Sequence, residues 1–437
     1  MLQSIIFLAV LLGTGWFAWK GYRRIWQNIH LGRAQALSGD TGQRWRNMFL
    51  VALGQQKMFK NWLPAVLHLF IYVAFILTQI ELLEILVDGL SGSHRFFAPH
   101  LGGLYTLTIS LIEVLSVLAL VATLAFLSRR NLLRLPRFHK PEMKGWPFRD
   151  ANLILLGEII LITGICCMNG ADKVLQTRGL EHYHPTGAFA VSSWLGPALF
   201  GNLSDGGLMA VERFGWWLHI LTVFGFLCYL PYSKHLHILL AFPNTWYARL
   251  SPKGQVDNMP EVQKEVRIMM GLDQPDPNTP AELPEFGAND VFSLSWLNLL
   301  QAYSCTECGR CTAACPANLT GKKLSPRKVM MDVRDRAEEV GRLLESGQQQ
   351  RDSFADGKSL FDYISPEEIH ACTTCNACVE ACPVLINPLD IILQLRRHEI
   401  LTQSAGPGDW LSMFNAIENN GAAWAMSEDR DAWKNQD

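Results

Sequence analysis

Charged residues are scarce in this chain of 437 residues. They make up 18% of it, against about 25% in an average soluble protein, and 49% of the residues are hydrophobic. This composition excludes a disordered chain and disfavours a fully soluble globule. Basic residues are not in excess either, because the formal net charge is −2. The chain lacks the basic surface that nucleic-acid binding needs, so we expect no nucleic-acid partner.

Basic residues are also missing before the first apolar run, whereas Lys20, Arg23 and Arg24 follow it. A secretory signal peptide has the opposite polarity, so we predict a first transmembrane helix with its N-terminus outside. Four more runs approach the ~20 residues that a bilayer requires. The five predicted spans are 4–19, 62–87, 103–127, 151–168 and 208–232.

The loops between these runs differ in basic residues. Residues 20–60 carry eight and residues 128–149 carry seven, whereas residues 88–102 and 169–207 together carry three. Basic loops stay in the cytoplasm. We therefore predict a multi-pass protein of the inner (plasma) membrane, with its N-terminus outside and everything after residue 233 in the cytoplasm.

Cysteines are few outside one region, since eight of the 11 lie between positions 305 and 382. They form two C-x-x-C-x-x-C-x-x-x-C-P motifs, the pattern of bacterial [4Fe–4S] ferredoxins, in which the fourth cysteine ligates the other cluster. A pair of zinc ribbons is the alternative, but such sites lack the Cys-Pro ending. We predict two [4Fe–4S] clusters, held by Cys305, Cys308, Cys311 and Cys382, and by Cys315, Cys372, Cys375 and Cys378.

The motifs are 56 residues apart, which is more than a compact ferredoxin with a β-hairpin needs. Residues 326–346 have the pattern of an amphipathic helix that starts with proline. We therefore predict an all-α protein, a five-helix membrane bundle followed by an α-helical ferredoxin domain. The predicted divisions are a membrane domain at 1–245, a linker at 246–290, the ferredoxin domain at 291–400 and a polar tail at 401–437. Trp410, Phe414 and Trp424 suggest that the tail docks onto something, and a frayed terminus is the alternative.

Histidines in the spans suggest haem. His68 lies in the second run and His219 in the fifth, and we pair them as ligands of one b haem. His237 lies 18 residues beyond His219, which is five whole helical turns, so we predict that both lie on one face about 27 Å apart and that His235 points roughly to the opposite face. Met58 could join His237 at a second haem, since Met and His are a known ligand pair. The alternative is that Met58 is interfacial and His237 is structural.

Acidic residues within the spans suggest quinone or proton chemistry. Glu113 and Glu158 fall inside the third and fourth runs, and Glu81 and Glu84 lie near the outer end of the second. A protonated acid bonded to a neighbouring helix is the alternative. The outer loops add histidines that either serve the same chemistry or are merely solvated, namely His94, His100, His182 and His184.

The membrane half resembles the nitrate reductase gamma subunit family. The resemblance lies in Trp216–His219 and in Leu230–His237, together with five spans and an outside N-terminus. It implies two b haems, with two histidines on the second helix and two on the fifth. His68, His219 and His237 match three of these ligands, and Met58 occupies the fourth position. The resemblance therefore supports the haem of His68 and His219, and the other haem lacks one of its histidines.

The soluble half resembles the C subunit of heterodisulfide reductase, through residues 304–311 and 378–384. This resemblance implies a separate soluble subunit with a cysteine-rich CCG domain. We expect the electron-transfer subunit of a quinone-linked oxidoreductase, which passes electrons between a cytoplasmic partner and membrane quinone. The alternatives are a membrane-tethered iron–sulfur redox sensor and a haem-free anchor subunit.

Overall fold

The computed structural model describes residues 2–274 and 285–423, with residues 431 and 434. Trp424 and part of the predicted linker, 275–284, lie outside the described residues. The helices up to residue 247 are α1 Leu2–Ile29, α2 Thr41–Asn47, α3 Trp62–Ser91, α4 Ala98–Leu101, α5 Gly103–Asn131, α6 Trp146–Thr177, α7 Ser192–Phe200, α8 Asp205–Tyr229 and α9 His237–Tyr247.

The remaining helices are α10 Pro260–Met269, α11 Trp296–Tyr303, α12 Arg310–Ala314, α13 Pro316–Leu319, α14 Pro326–Glu345, α15 Pro366–His370, α16 Ala377–Ala381, α17 Pro388–Arg397 and α18 Gly408–Asn420. No β-strand occurs among the described residues. The predicted all-α fold is confirmed, and α14 matches the amphipathic helix expected at 326–346.

Five helices are long and apolar enough to cross a membrane, namely α1, α3, α5, α6 and α8 with the turn that follows it to Tyr232. They carry large exposed apolar side chains, such as Leu107 at 65% and Phe214 at 61% exposure. In a soluble protein such surfaces would be a liability, but on a spanning helix they face lipid. The five predicted spans are confirmed, with longer bounds.

Glycines let α6 and α8 approach each other closely. A Cβ atom at Gly215 would lie 2.5 Å from the backbone nitrogen of Met168, and one at Gly164 would lie 2.9 Å from that of His219. Small residues at a helix crossing allow backbone contact in membranes. This crossing fixes the position of His219.

The fifth spanning helix does not continue to His237, so the predicted shared face of His219 and His237 is wrong. The α-helix ends at Tyr229, and Leu230–Tyr232 and Lys234–Leu236 form short 3-10 turns on either side of an extended Ser233. Pro231 cannot donate the backbone hydrogen bond that a continuing helix needs. The chain therefore changes direction here and starts again as α9.

The cysteine region packs against the end of the bundle that carries the basic loops. Asn28, at the end of α1, donates to the hydroxyl of Tyr303 at 2.8 Å, and Arg327 of α14 pairs with Glu142 at 2.7 Å. Lys234 forms an ion pair with Glu307. The cysteine region therefore lies at the end of the bundle for which the basic loops predict a cytoplasmic location.

Loss of the Glu307 carboxylate should destabilise this junction strongly. Glu307 is 3% exposed and accepts from both Lys234 and Arg334. Burial opposes its ionisation, but the two cations hold its pKa below the usual range. Glu307→Ala would remove the carboxylate that these cations share and leave Lys234 with only Asp150 at 3.9 Å and Arg334 with the exposed Asp335 at 3.1 Å. We expect a cost of about 3 kcal/mol, the lower end of the range for a broken buried pair. Thermal unfolding of the purified protein in detergent would measure the loss.

The matched control is Glu367→Ala. Its carboxylate also pairs with a lysine, Lys323, but the two side chains are 62% and 69% exposed. Such surface pairs contribute about 0–1 kcal/mol. An equal loss of stability in both variants would contradict the role assigned to Glu307.

Candidate cofactor sites

The eight motif cysteines gather in two groups of four. Site 1 is a cavity lined by the sulfur-bearing side chains of Cys305, Cys308, Cys311 and Cys382. Site 2 is a second cavity, lined by Cys315, Cys372, Cys375 and Cys378. Each site takes three cysteines from one motif and the last cysteine from the other. Four thiolates around one cavity fit a [4Fe–4S] cube.

The two cysteine motifs share a backbone conformation that cannot be predicted from their sequences. Glu307 and Gly309 have φ angles of 54° and 74°, and Thr374 and Asn376, at the corresponding positions, have 56° and 62°. Residues other than glycine rarely adopt this left-handed region. The repeated pattern turns the chain so that three cysteines face one cavity.

Backbone N–H groups point at sulfur in both sites. Ile386 donates to Cys382 Sγ at 3.3 Å in site 1, and Thr374 donates to Cys372 Sγ at 3.4 Å in site 2. Hydrogen bonds to cluster sulfurs are one of the means by which proteins set a cluster's reduction potential. Both cavities therefore have the donors that a bound cluster would use.

Site 1 faces the membrane half, whereas site 2 reaches the surface. Arg310, beside Cys311, lies 3.5 Å from the carbonyl oxygens of Lys57 and Met58, just before α3. Asn244 of α9 donates to the carbonyl of Val384, next to the motif of Cys382. In site 2, Cys375 is exposed. The two sites therefore differ in what each one can exchange electrons with.

Three histidines that are not exposed have the orientation expected of metal ligands, and the exposed His30 and His100 show the same bond to a backbone carbonyl. The Nδ1 atom of His68 bonds the side-chain oxygen of Gln55 at 3.0 Å, that of His219 the carbonyl of Leu161 at 3.2 Å, and that of His237 the carbonyl of Lys234 at 3.1 Å. In each case an oxygen acceptor implies that Nδ1 carries the proton, which leaves Nε2 as the basic nitrogen. Ligand histidines are usually fixed in this way.

Gln55, which orients His68, is a residue that the sequence reasoning missed. It is buried, 7% exposed, and has a φ angle of 50°. Strained backbone of this kind clusters at functional sites. Only its spacing of 13 residues from His68 connects the two in the sequence, and no local pattern marks that pair.

His68 lies with His237 and His235 at the end of the bundle that carries the basic loops. The rings of His235 and His237 are 5.8 Å apart. Burial, together with the nearby imidazoles of His237 and His68, lowers the pKa of His235 to about 3. The prediction that His235 points away is wrong, because the 3-10 turn brings it beside His237.

His219 lies deeper in the bundle than His68. Glu84 of α3 and Glu212 of α8 line one cavity, so they mark a common depth. His68 is 16 residues from Glu84, whereas His219 is only seven from Glu212. At 1.5 Å per residue the two histidines differ in depth by about 14 Å. Met58 lies in the 3-10 turn Gln56–Lys60, ahead of α3.

A polar cavity, here called the outer pocket, lies at the opposite end of the bundle. Ionisable residues and a few apolar ones line it, namely Glu81, Glu84, Ile85, Asp88, His94, Arg95, Met168, Glu212, Arg213 and Trp216. Arg95 donates to Asp172 at 2.9 Å and to Asn169 at 2.7 Å. Two buried atoms in the lining have no hydrogen-bond partner among the described residues, Oε2 of Glu81 and Nδ1 of His94.

The other predicted acids and histidines have different surroundings. Glu113 accepts the backbone N–H groups of Val191 and Ser192 and so anchors the start of α7. Glu158 is half-buried on α6 and does not line the outer pocket. The ring of His182 lies 5.2 Å from that of His94, whereas His100 and His184 are exposed.

Residues 304–386 match the 4Fe-4S dicluster domain family. This domain contains all eight cysteines of sites 1 and 2. The likeness to known proteins extends into the membrane half. A probable iron-sulfur-binding oxidoreductase, FadF of Bacillus subtilis, is 27% identical over 93% of this chain and 57% of its own length.

Two further relatives cover different shares of the chain. The EtfAB:quinone oxidoreductase of Syntrophomonas wolfei is 26% identical over 88% of this chain and 52% of its own length. The C subunit of the ferredoxin:CoB-CoM heterodisulfide reductase of Methanosarcina mazei is 31% identical over 22% of this chain and 46% of its own length. The chain spans little more than half the length of the two longer relatives. No solved structure matches it.

These relatives are named as a probable iron–sulfur-binding oxidoreductase, a quinone oxidoreductase and a heterodisulfide reductase subunit. The predicted iron–sulfur domain and its likeness to the heterodisulfide reductase C subunit are confirmed, and the relatives are consistent with an electron-transfer subunit of an oxidoreductase. The likeness of the membrane half to the nitrate reductase gamma subunit stays a prediction, as do haem and quinone.

Proposed function

We propose that the protein is a membrane-bound electron-transfer subunit, which passes electrons between a cytoplasmic redox partner and membrane quinone through two [4Fe–4S] clusters and b-type haem. The observation that carries this proposal is the position of site 1. The loop that holds its cysteines lies against the turn before α3, where Arg310 of that loop lies 3.5 Å from the carbonyl oxygen of Met58, ten residues before His68. Thiols that fit a cluster thus adjoin imidazoles that fit a haem.

For the cytoplasmic-side haem, we propose His68 and His237 as the ligand pair, in place of His68 and His219. Each of the two imidazoles has its Nδ1 bonded to an oxygen, which leaves Nε2 for iron. A haem with two imidazole ligands would carry one electron at a time. His219, fixed by the carbonyl of Leu161, remains a candidate ligand for a second haem at greater depth.

For quinone, we propose the outer pocket as the site of its headgroup. A quinol has two hydroxyl groups that must lose protons, and the free atoms Glu81 Oε2 and His94 Nδ1 are two acceptors on one cavity wall. Trp216, Ile85 and Met168 supply apolar contacts for the ring. The name of the Syntrophomonas wolfei relative, an EtfAB:quinone oxidoreductase, supports quinone as the substrate class.

The soluble partner is proposed to dock over site 2, where Cys375 is exposed. The same relative's name makes EtfAB one candidate partner. The likeness to the heterodisulfide reductase C subunit supports a cysteine-rich CCG protein as the other. Each candidate partner can be tested by adding it in its reduced form and following reduction of the clusters.

A redox sensor and a haem-free anchor remain the competing functions. The experiment that separates them is a measurement of iron, haem and the reduced-minus-oxidised visible spectrum on the purified full-length protein. About eight non-haem irons per chain and a b-type signal support electron transfer. Clusters without haem would favour the sensor or the anchor. A menaquinol or ubiquinol analogue that leaves the haem oxidised would remove quinone from the proposal.

Replacement of Glu81 should slow the reaction with quinol. Glu81→Gln keeps the shape of the side chain but removes the carboxylate that would accept a quinol proton. Positioned bases contribute about 10²- to 10⁴-fold in rate, so we expect a fall of about 10²-fold in quinol-dependent haem reduction, with an unchanged haem spectrum. Stopped-flow spectroscopy with a menaquinol analogue would measure it.

Glu158→Gln is the matched control, because Glu158 is an acid on α6 that does not line the outer pocket. Its variant should reduce haem at the wild-type rate. If Glu81→Gln also keeps the wild-type rate, the acid is a packing residue and the outer pocket is not where quinol loses its protons.

A further inference from the structure

Site 1 is surrounded by more positive charge than site 2. Two arginines, Arg310 and Arg327, line the cavity of site 1, whereas no charged side chain lines that of site 2. Two further cations approach site 1 from loops of the membrane half, since Cβ of Arg137 lies 3.7 Å from a Cβ built at Gly309, next to Cys308, and the carbonyl oxygen of Lys57 lies 3.5 Å from Nη1 of Arg310. We call Lys57, Arg137, Arg310 and Arg327 the basic group.

Most of this charge is not cancelled by carboxylates. Arg327 pairs with Glu142 at 2.7 Å, and Glu307, the acid inside the site 1 motif, is already paired with Lys234 and Arg334. Among the described residues, Lys57, Arg137 and Arg310 form no ion pair with a carboxylate. Three cations are therefore left to act on whatever site 1 holds.

The arrangement at Gly309 keeps the basic group close to the cysteines. A Cβ atom at this position would lie 2.5 Å from Nη1 of Arg327 and 3.7 Å from Cβ of Arg137. The same Arg327 nitrogen donates to the carbonyl of Arg137 at 2.7 Å. The loop of the membrane half and the cysteine motif are thus joined directly through these arginines.

Among the residues that the structure describes, the cation placed beside site 2 is Arg396. Its guanidinium donates to the backbone carbonyl oxygens of Cys372 and Ile369. Backbone N–H groups bond cysteine sulfurs in both sites, those of Glu307, Val384 and Ile386 in site 1 and those of Thr374 and Val379 in site 2, so these bonds favour reduction of site 1 in the same direction as the charges. Water reaches the exposed Cys375 of site 2. This water stabilises the negative charge that reduction adds, but it also screens the attraction between that charge and nearby cations.

We propose that the basic group makes site 1 the more readily reduced of the two iron–sulfur sites, so that electrons that reach site 2 are drawn towards the membrane. Reduction adds one electron to a cluster and breaks no bond, and nearby positive charge stabilises the added charge. This inference rests on the proposed function, since it requires a cluster in each site. It assigns to Lys57 and Arg137, which belong to the membrane half, a role in setting the reduction potential of site 1.

The test is a redox titration of the full-length protein, followed by electron paramagnetic resonance, with dithionite as the reductant. In Arg137→Gln we expect the reduced-to-oxidised ratio of the site 1 cluster at a fixed poise to fall about tenfold, which for one electron corresponds to about 59 mV. The site 2 cluster should not change. Arg137→Lys, which keeps the charge, should restore the wild-type ratio, and Lys57→Gln should act in the same direction as Arg137→Gln.

Lys323→Gln is the control, since Lys323 is a surface cation that is 69% exposed, and it should shift neither cluster. Unshifted site 1 ratios in both Arg137→Gln and Lys57→Gln would overturn the inference, as would equal shifts in both clusters. Wild-type protein without two cluster signals would instead overturn the proposed function. The two failures are therefore distinguishable.

Discussion

Cys315→Ser is expected to remove the cluster of site 2 and to leave that of site 1 intact. Cys315 belongs to the first motif in the sequence, but it lines the cavity of the second with Cys372, Cys375 and Cys378. Loss of one thiolate from a four-thiolate set prevents normal cluster assembly. Non-haem iron should fall from about eight to about four per chain, and one of two paramagnetic signals should disappear.

Cys382→Ser should have the reciprocal effect, because Cys382 belongs to the second motif but lines site 1. The matched control is Cys228→Ser, which changes a half-buried cysteine of α8 that lies outside both sites. This control should keep all of its iron. If Cys315→Ser and Cys308→Ser remove the same signal, each motif holds its own cluster, and the exchange of the fourth ligand is wrong.

The spans and the cysteine sets could be predicted from sequence because both depend on local patterns. A run of about 20 apolar residues specifies a spanning helix almost without regard to its neighbours. The x-x spacing of Cys305, Cys308 and Cys311 likewise requires one loop around one cavity. The helix α14 was also predictable, because it carries both an amphipathic pattern and a proline at its start.

The arrangement of the histidines could not be predicted in the same way. The inference that His219 and His237 share a face assumed a continuous helix, although Pro231 stood between them as a signal of a break. The position of His237 relative to His68 then depends on where the interrupted chain turns, which is set by packing with Asp150. That carboxylate accepts from Ser233 at 2.7 Å and from the backbone of Lys234 at 3.0 Å.

Residues that act across the junction left no local signal either. Arg137 and Lys57 lie far in sequence from the cysteines they approach, and each is one of many basic residues in its loop. In the sequence, membrane orientation alone explains the basic residues of those loops, because basic loops stay in the cytoplasm. A basic residue can set the orientation of the protein in the membrane and can also affect the reduction potential of a nearby site. Only the packing of the membrane half against the cysteine region shows which residues do both.

His237→Ala and His68→Ala are expected to remove the same haem. If the two imidazoles hold one iron between them, the loss of either leaves a single axial ligand, so the low-spin b-type signal should be lost from both variants. His219→Ala should leave that signal in place, because His219 lies about 14 Å deeper than His68. The reduced-minus-oxidised spectrum and the haem content of the purified variants would measure these outcomes.

His235→Ala is the matched control, since its ring lies 5.8 Å from that of His237 but its Nδ1 has no oxygen acceptor among the described residues to orient it. This variant should keep the haem.

If His68→Ala and His219→Ala each lose the same signal and His237→Ala keeps it, the result would instead support the pairing of His68 with His219 that the sequence predicts. Loss of a separate signal in both Met58→Leu and His237→Ala would assign those two residues to a haem of their own. Each outcome thus assigns the axial ligands differently, and a signal lost in His237→Ala together with either His68→Ala or Met58→Leu places haem beside site 1, where Arg310 approaches the carbonyl of Met58.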